Sequence, residues 1–259
     1  MIKNYQAYCF DLDGTVYHGT KGVPEAASFI EALRENGVEP YYITNNSSAT
    51  LAQVKAKLAS FGITTSAEYI MTSAIATAKY CKEMYAGATV QMIGEQGLQE
   101  ALEAEGMNMV QENADVVVMG IDHDITYEKL ACASLAIRAG AKFIATNGDK
   151  AIPTERGLLP GNGSLVKLVE YTTGATPIII GKPDTYMLAY IQERSGAKKE
   201  EMVMIGDNYD TDILGGIQFG IDTVHLDGGV TSHIEVKKKE VQPTHLLTTF
   251  SEWEIDISS

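Results

Sequence analysis

Short apolar segments alternate with amphipathic helical segments along most of the chain. After the apolar segment YCFDL (8–12), residues Ala26, Phe29, Ile30 and Leu33 recur at helical spacing. The alternation continues through YYITNN, ADVVVMG, TPIIIGKP and EMVMIGDN to IDTVHLDGG. Strands separated by helices of about 10–15 residues form right-handed βαβ units, so the pattern predicts an α/β fold with a mostly parallel sheet. The predicted strands are too many for one small sheet, so we expect two α/β layers.

Charge and composition exclude several classes of protein. The chain has 259 residues and a net charge of −14, whereas nucleic-acid-binding proteins need a basic surface, so we expect no nucleic-acid partner. The longest apolar runs are far too short to span a bilayer, and the first residues show no signal-peptide pattern, so we expect no membrane partner. Three scattered cysteines suggest reduced thiols and a cytoplasmic location.

Polar side chains follow four of the predicted strands, at the edge where open α/β sheets bind their ligands. These side chains are Asp11 and Asp13, Thr44 and Asn45, Lys182, and Asp207, Asn208 and Asp212. Two aspartates as close as Asp11 and Asp13 resist joint ionisation unless a cation lies between them or they share a proton. Mg²⁺, which binds carboxylates, waters and phosphate oxygens, would supply that charge.

The combined set of groups is typical of phosphoryl transfer. It contains a carboxylate that can act as nucleophile, a second carboxylate for acid and base catalysis, and a lysine. The start of the helix after Asn45 offers free amides that suit a phosphate. Together with Mg²⁺, these groups indicate a reaction that passes through an aspartyl-phosphate.

Four segments, DLDGTV, TNNS, GKP and GDNYDTD, resemble in order and spacing the four motifs of the haloacid dehalogenase (HAD) superfamily of phosphatases. TNNS and the later stretch TNGD…LLPGNGSLV resemble the NagD-like branch, subfamily IIA, which has a C2-type cap. The resemblance implies a Rossmann-like parallel-sheet core over 1–78 and 179–259. It also implies an inserted α/β cap domain over 79–178 that selects the substrate.

The resemblance implies a catalytic role for each motif residue. Asp11 would attack phosphorus, and Asp13 would protonate the leaving oxygen and then activate water. Thr44 and the amide of Asn45 would bind the phosphoryl group. Lys182 would neutralise charge on Asp11 and the phosphate.

The resemblance also implies a set of metal ligands. Mg²⁺ would be held by the carboxylates of Asp11 and Asp207 and by the backbone carbonyl of Asp13. Asp212 would orient these ligands through water or Lys182. Asn208 could be a ligand itself or support one, and the sequence leaves both roles open.

The segment 146–164, which reads as a loop rich in Gly and Pro, is the candidate for substrate selection in the cap. Asp149 and Ile152 would shape the pocket. Lys150 and Arg156 would hold a second anion of the substrate, such as a sugar carboxylate, although both could equally be solvent-exposed loop charges.

The leading prediction is a Mg²⁺-dependent phosphatase of small phosphate esters, namely sugar or acid-sugar phosphates and nucleotides. The alternative within the superfamily is a phosphotransferase or phosphomutase, in which a substrate hydroxyl replaces water. A dinucleotide-binding oxidoreductase is disfavoured because no strand is followed by G-x-G-x-x-G. The oligomeric state stays open, with a homodimer among the alternatives.

Overall fold

The computed structural model describes residues 2–154 and 156–254. The chain forms two compact units. The first unit comprises Met1–Thr44, Ala52–Met71 and Lys182–Ser259, and the second comprises Asn45–Leu51 and Thr72–Gly181. Within the described ranges, no helix is both long enough and apolar enough to cross a membrane.

The strands and helices follow one another in the alternating order that the sequence predicts. The strands are β1 Ala7–Asp11, β2 Tyr17–His18, β3 Lys21–Gly22, β4 Tyr41–Thr44, β5 Ile70–Thr72, β6 Thr89–Ile93, β7 Asn108–Met109, β8 Val116–Met119, β9 Lys142–Ala145, β10 Ala151–Thr154, β11 Gly157–Pro160, β12 Ile178–Ile179, β13 Met202–Gly206, β14 Asp222–Leu226 and β15 His245–Leu247. The helices are α1 Pro24–Glu35, α2 Leu51–Ser60, α3 Ser73–Met84, α4 Gln96–Ala104, α5 Tyr127–Arg138, α6 Asn162–Thr173, α7 Tyr186–Ser195, α8 Leu214–Phe219 and α9 His233–Val236.

The first unit is built on a sheet with the strand order β15-β14-β13-β1-β4-β5. Strand β1 lies between β13 and β4, pairs parallel with both, and is buried along its whole length. Phe250 and Trp253 both pack against Phe29 in this unit, with ring centroids 5.2 and 5.0 Å from that of Phe29. The parallel register brings the carboxyl ends of β1, β4 and β13 to one edge, which is where Asp11, Thr44 and Asp207 lie.

The second unit has its own parallel sheet, in the order β12-β9-β8-β6-β7. Its core is formed by buried residues of the strands and of helices α5 and α6, among them Val117, Phe143 and Val169. Each sheet has parallel strand pairs, and helices alternate with strands along the chain, which confirms the predicted α/β class with a Rossmann-like parallel core.

One prediction about local structure is wrong. The segment 146–164 is not all loop, because β10 and β11 form an antiparallel hairpin in which Ile152 pairs with Leu159. Pro153 and the surrounding glycines made a loop the expected structure here, because proline is rare in strands except at edges. The segment TPIIIGKP contains strand β12, which pairs with β9 of the second sheet, and Lys182 follows this strand after Ile180 and Gly181.

Candidate active site

Asp11 is the last residue of β1 and is buried, with 7 % of its surface exposed. Its position follows from register, because β1 is central in the sheet and Asp11 lies beside Ile43 of β4. Burial of a carboxylate is unfavourable unless another group compensates its charge. The surrounding groups must therefore supply positive charge to Asp11.

Lys182 supplies one positive charge and is itself buried. Its Nζ lies 2.5 Å from Asp11 Oδ1 and 2.8 Å from Asp212 Oδ1, and it also donates to the backbone oxygen of Ile43 at 3.3 Å. Burial acts to lower the pKa of Lys182, but the two carboxylates outweigh it and hold the pKa above its ordinary value. The ammonium group therefore stays charged and fixed by three acceptors.

Asp207 and Asp212 complete a buried acidic cluster with Asp11. One carboxylate oxygen from each of the three residues lies within 4.8 Å of the others. Burial raises the pKa of Asp11 well above its usual range, and the Asp212 carboxylate adds to this effect. Burial and the charge of Asp212 likewise raise the pKa of Asp207 to about 6. Three carboxylates thus lie together, and the Lys182 ammonium group that contacts Asp11 and Asp212 leaves the cluster with an excess of negative charge.

A divalent cation would fit this donor set. Hard carboxylate oxygens are the ligands that Mg²⁺ prefers, and the excess of negative charge is what such a cation would neutralise. Two glycines keep the space around Asp207 clear, because a Cβ at Gly14 or at Gly229 would overlap its carboxylate. Gly14 also has a φ of +105°, a backbone conformation that residues with a side chain rarely adopt.

Backbone and hydroxyl donors hold Asp207 in place. Its Oδ1 accepts a hydrogen bond from Thr15 Oγ1 at 3.2 Å, and its Oδ2 accepts from the N–H of Val230 at 2.6 Å. Its peptide oxygen accepts from the N–H of Thr231 at 3.2 Å and from His225 Nε2 at 2.9 Å. None of these four donors was predicted from the sequence. A signal existed for one of them, since Thr15 directly follows the DLDG segment.

The residues that follow Asp207 form a turn that supports Asp212. The N–H of Asn208 donates to Asp212 Oδ2 at 3.1 Å, and the hydroxyl of Thr211 donates to Asp212 Oδ1 at 3.2 Å. The carboxamide oxygen of Asn208 accepts from the N–H of Asp210 at 3.0 Å and so caps the helical turn that begins at Tyr209. Asn208 therefore organises this turn in the structure.

Asp13 lies apart from the acidic cluster. Strand β1 ends at Asp11, and the Asp13 side chain is exposed and accepts from the N–H of Gly19 at 3.4 Å. The two aspartates thus do not form the symmetric pair that their spacing suggests, because the chain leaves the strand between them. An exposed carboxylate can exchange protons with solvent, as acid and base catalysis requires.

Thr44 is the last residue of β4 and is buried. The next residue, Asn45, is held by its neighbours in the second unit. Its backbone oxygen accepts from Ser73 Oγ at 2.7 Å and from Asn147 Nδ2 at 2.8 Å. Its Nδ2 donates to the Asp149 carboxylate at 3.2 and 3.3 Å. Asp149, which was predicted to shape the pocket, thus accepts hydrogen bonds from the side chain of Asn45, which was predicted to bind phosphate.

The remaining predicted specificity residues lie on or beside the hairpin β10–β11. Lys150 and Arg156 are exposed, and Ile152 is partly buried on β10. The backbone oxygen of Lys150 accepts from Gly161 N–H and from Ser164 Oγ, which fixes the base of the hairpin. The two cationic side chains extend from an ordered hairpin rather than from an open loop.

Two family models match the chain. A model described as haloacid dehalogenase-like hydrolase matches residues 8–108, and a second, described as HAD-hydrolase-like, matches residues 179–253. The DLDGTV and TNNS segments fall in the first match, and the GKP and GDNYDTD segments fall in the second.

Relatives and solved structures agree with these matches over nearly the whole chain. The 5'-nucleotidase YutF of Bacillus subtilis is 46% identical over 97% of this chain and 98% of its own length. An acid sugar phosphatase of Staphylococcus epidermidis is 47% identical over 94% of this chain and 95% of its own length. A crystal structure of a thermostable NPPase from Geobacillus stearothermophilus, a double mutant, superposes with a TM-score of 0.92 at 42% identity, covering 98% of this chain and 99% of that one.

A more distant structure has the same fold. The 4-nitrophenylphosphatase of Thermotoga maritima superposes with a TM-score of 0.91 at 31% identity, covering 96% of this chain and 95% of that one. These similarities confirm the family that the four sequence segments predict. The chain belongs to the haloacid dehalogenase-like hydrolase family, in its NagD-like branch.

Proposed function

We propose that the protein is a Mg²⁺-dependent phosphatase that hydrolyses small phosphorylated metabolites by way of a phosphoryl group on Asp11. The observation that carries this proposal is the buried cluster of Asp11, Lys182, Asp207 and Asp212. The names of the relatives, which are an acid sugar phosphatase, a 5'-nucleotidase and nitrophenylphosphatases, support hydrolysis of phosphoric monoesters.

In the first half of the proposed reaction, a carboxylate oxygen of Asp11 forms a bond to phosphorus. The bond between phosphorus and the ester oxygen breaks, and Asp13 gives its proton to the departing alcohol. In the second half, Asp13 takes a proton from a water molecule that attacks phosphorus. The bond to Asp11 then breaks, which releases inorganic phosphate and regenerates the Asp11 carboxylate and the protonated Asp13.

Lys182 has two roles in this proposal. Its contact with Asp11 Oδ1 orients the nucleophile, and its charge offsets that of the arriving phosphate. Asp212 also pairs with the lysine at 2.8 Å and would keep the ammonium group in place when Asp11 is phosphorylated. Thr44 and the N–H of Asn45 would bind the phosphoryl oxygens.

Mg²⁺ would be held by the carboxylates of Asp11 and Asp207 together with the backbone carbonyl of Asp13. When bound, it supplies positive charge that polarises the phosphoryl group. Asp212 and Asn208 would keep these ligands in place, since the turn they share follows Asp207 directly. We assign the second unit to substrate selection, as a cap.

Hydrolysis of p-nitrophenyl phosphate tests the proposed function. The purified chain should release p-nitrophenol and inorganic phosphate with Mg²⁺ and no added acceptor. Removal of Mg²⁺ with EDTA should lower turnover by on the order of 100-fold or more, because the cation contributes several kcal/mol of charge stabilisation. Mg²⁺ added back should restore the rate. Release of phosphate only in the presence of an acceptor alcohol would instead identify a phosphotransferase.

Lys150 and Arg156 are the proposed contacts for a second anion of the substrate. We expect Lys150→Ala or Arg156→Ala to raise KM roughly threefold to fivefold for an acid-sugar phosphate, since an exposed ion pair contributes little. KM for a neutral sugar phosphate should stay unchanged. Steady-state kinetics on both substrates checks this, with Lys142→Ala, an exposed lysine on β9, as the control. Equal changes in KM for the two substrates would show that neither residue binds the second anion.

A further inference from the structure

His225 occupies a position where an apolar residue would be expected. It lies in β14 between Val224 and Leu226, and its exposed fraction is 0%. The Nδ1 atom of its imidazole is buried and has no hydrogen-bond partner among the described residues. A buried polar atom without a partner is unfavourable, so packing alone does not account for a histidine here.

The other ring nitrogen of His225 contacts the backbone of a proposed metal ligand. Its Nε2 lies 2.9 Å from the peptide oxygen of Asp207. A carbonyl oxygen only accepts hydrogen bonds, so Nε2 carries the proton and the tautomer is fixed. The contact follows from strand register, because His225 pairs with Gly206, the residue before Asp207.

This bond restrains Asp207 in a way that its other donors do not. Val230 and Thr231, which also donate to Asp207, belong to the loop after β14. His225 belongs to the strand itself, so its bond ties the Asp207 peptide plane directly to the sheet. Fixing that plane limits rotation about the Cα–C bond of Asp207 and with it the direction in which the carboxylate points.

We infer that His225 is a positioning residue, which sets the orientation of Asp207 for Mg²⁺ through the hydrogen bond to its peptide oxygen. The inference rests on the proposed function, since it concerns the cation that Asp207 would hold. Groups that orient metal ligands commonly change metal affinity by about 10–100-fold when they are removed. The effect should therefore be measurable as Mg²⁺ affinity, without any substrate.

Three substitutions at this position separate the hydrogen bond from packing. Glutamine places an amide nitrogen as many bonds from Cα as His225 Nε2, so His225→Gln can keep the donor. Asparagine is one bond shorter, and leucine has no donor. We expect His225→Asn and His225→Leu to bind Mg²⁺ about tenfold or more weakly than the natural protein, and His225→Gln to stay within about threefold of it.

Isothermal titration of the whole chain with MgCl₂ gives these affinities, and circular dichroism shows which variants are folded. His245→Leu is the matched control, because His245 lies in the neighbouring strand β15 and pairs with Val224; its Mg²⁺ affinity should not change. If His225→Leu does not fold, the Mg²⁺ affinities of His225→Gln and His225→Asn test the inference. Equal affinities for these two, or an asparagine variant within twofold of the natural protein, would overturn the inference.

The same titration keeps this inference distinct from the proposed function. Asp207→Asn should abolish Mg²⁺ binding. If the natural protein binds no Mg²⁺, the proposed cation fails and the inference with it. If the natural protein binds Mg²⁺ and hydrolyses p-nitrophenyl phosphate while the His225 variants bind equally well, only the inference fails.

Discussion

Asp11→Asn should lower turnover of p-nitrophenyl phosphate by about a thousandfold or more, because an amide oxygen is a far weaker nucleophile than a carboxylate. The change alters little volume and removes one of three crowded negative charges, so the variant should fold. Mass spectrometry after a short exposure to substrate should show a phosphorylated chain for the natural protein and none for the variant.

The matched control for this substitution is Asp222→Asn. Asp222 is an aspartate of the same unit on strand β14, where its carboxylate accepts from the Tyr5 hydroxyl at 2.9 Å and pairs with Lys3 at 2.8 Å. The turnover of Asp222→Asn should match that of the natural protein. Turnover by Asp11→Asn within tenfold of the natural rate would show that phosphorus is not transferred to this residue.

The α/β class and the family were predictable because local signals and the fold agree. Parallel strands that alternate with helices bring their carboxyl ends to one edge, so polar residues after β1 and β13 had to meet there. The meeting of Asp11 and Asp207 follows from that rule, whereas Asp212 joins them by way of the helical turn Tyr209–Ile213. The register between neighbouring strands then decides which atoms are in contact. That register cannot be predicted from any single segment of the sequence.

The details that the sequence did not reveal depend on contacts between distant segments. Lys182 follows a strand of the second sheet rather than the first, so the rule about strand ends did not apply to it. Nothing in the sequence singled out His225 within its strand. The hydrogen bond of its side chain goes to Asp207, which is 18 positions away in the chain. Each outcome was decided by tertiary structure.

Lys182→Met should destabilise the protein by about 3–5 kcal/mol and remove most of its activity. Methionine has a similar length but no charge, so the change leaves the Asp11 and Asp212 carboxylates buried without the ammonium group that lies 2.5 and 2.8 Å from them. Removal of one partner of a buried ion pair is strongly unfavourable, because the other partner stays buried and unpaired. Urea unfolding in EDTA gives the free energy of unfolding, and Lys199→Met, which changes an exposed lysine bonded to a backbone oxygen, should lose less than about 1 kcal/mol.

The double variant Lys182→Met with Asp212→Asn separates the structural from the catalytic role of the lysine. Removing a carboxylate together with the ammonium group relieves part of the uncompensated charge, so the double variant should recover a measurable part of the lost stability. Its turnover should stay as low as that of Lys182→Met, because the ammonium group that offsets the phosphate beside Asp11 is still missing. Recovery of activity along with stability would show that Lys182 serves only to hold the fold. If the double variant is no more stable than Lys182→Met, the lysine does not stabilise the protein by balancing the charge of the cluster.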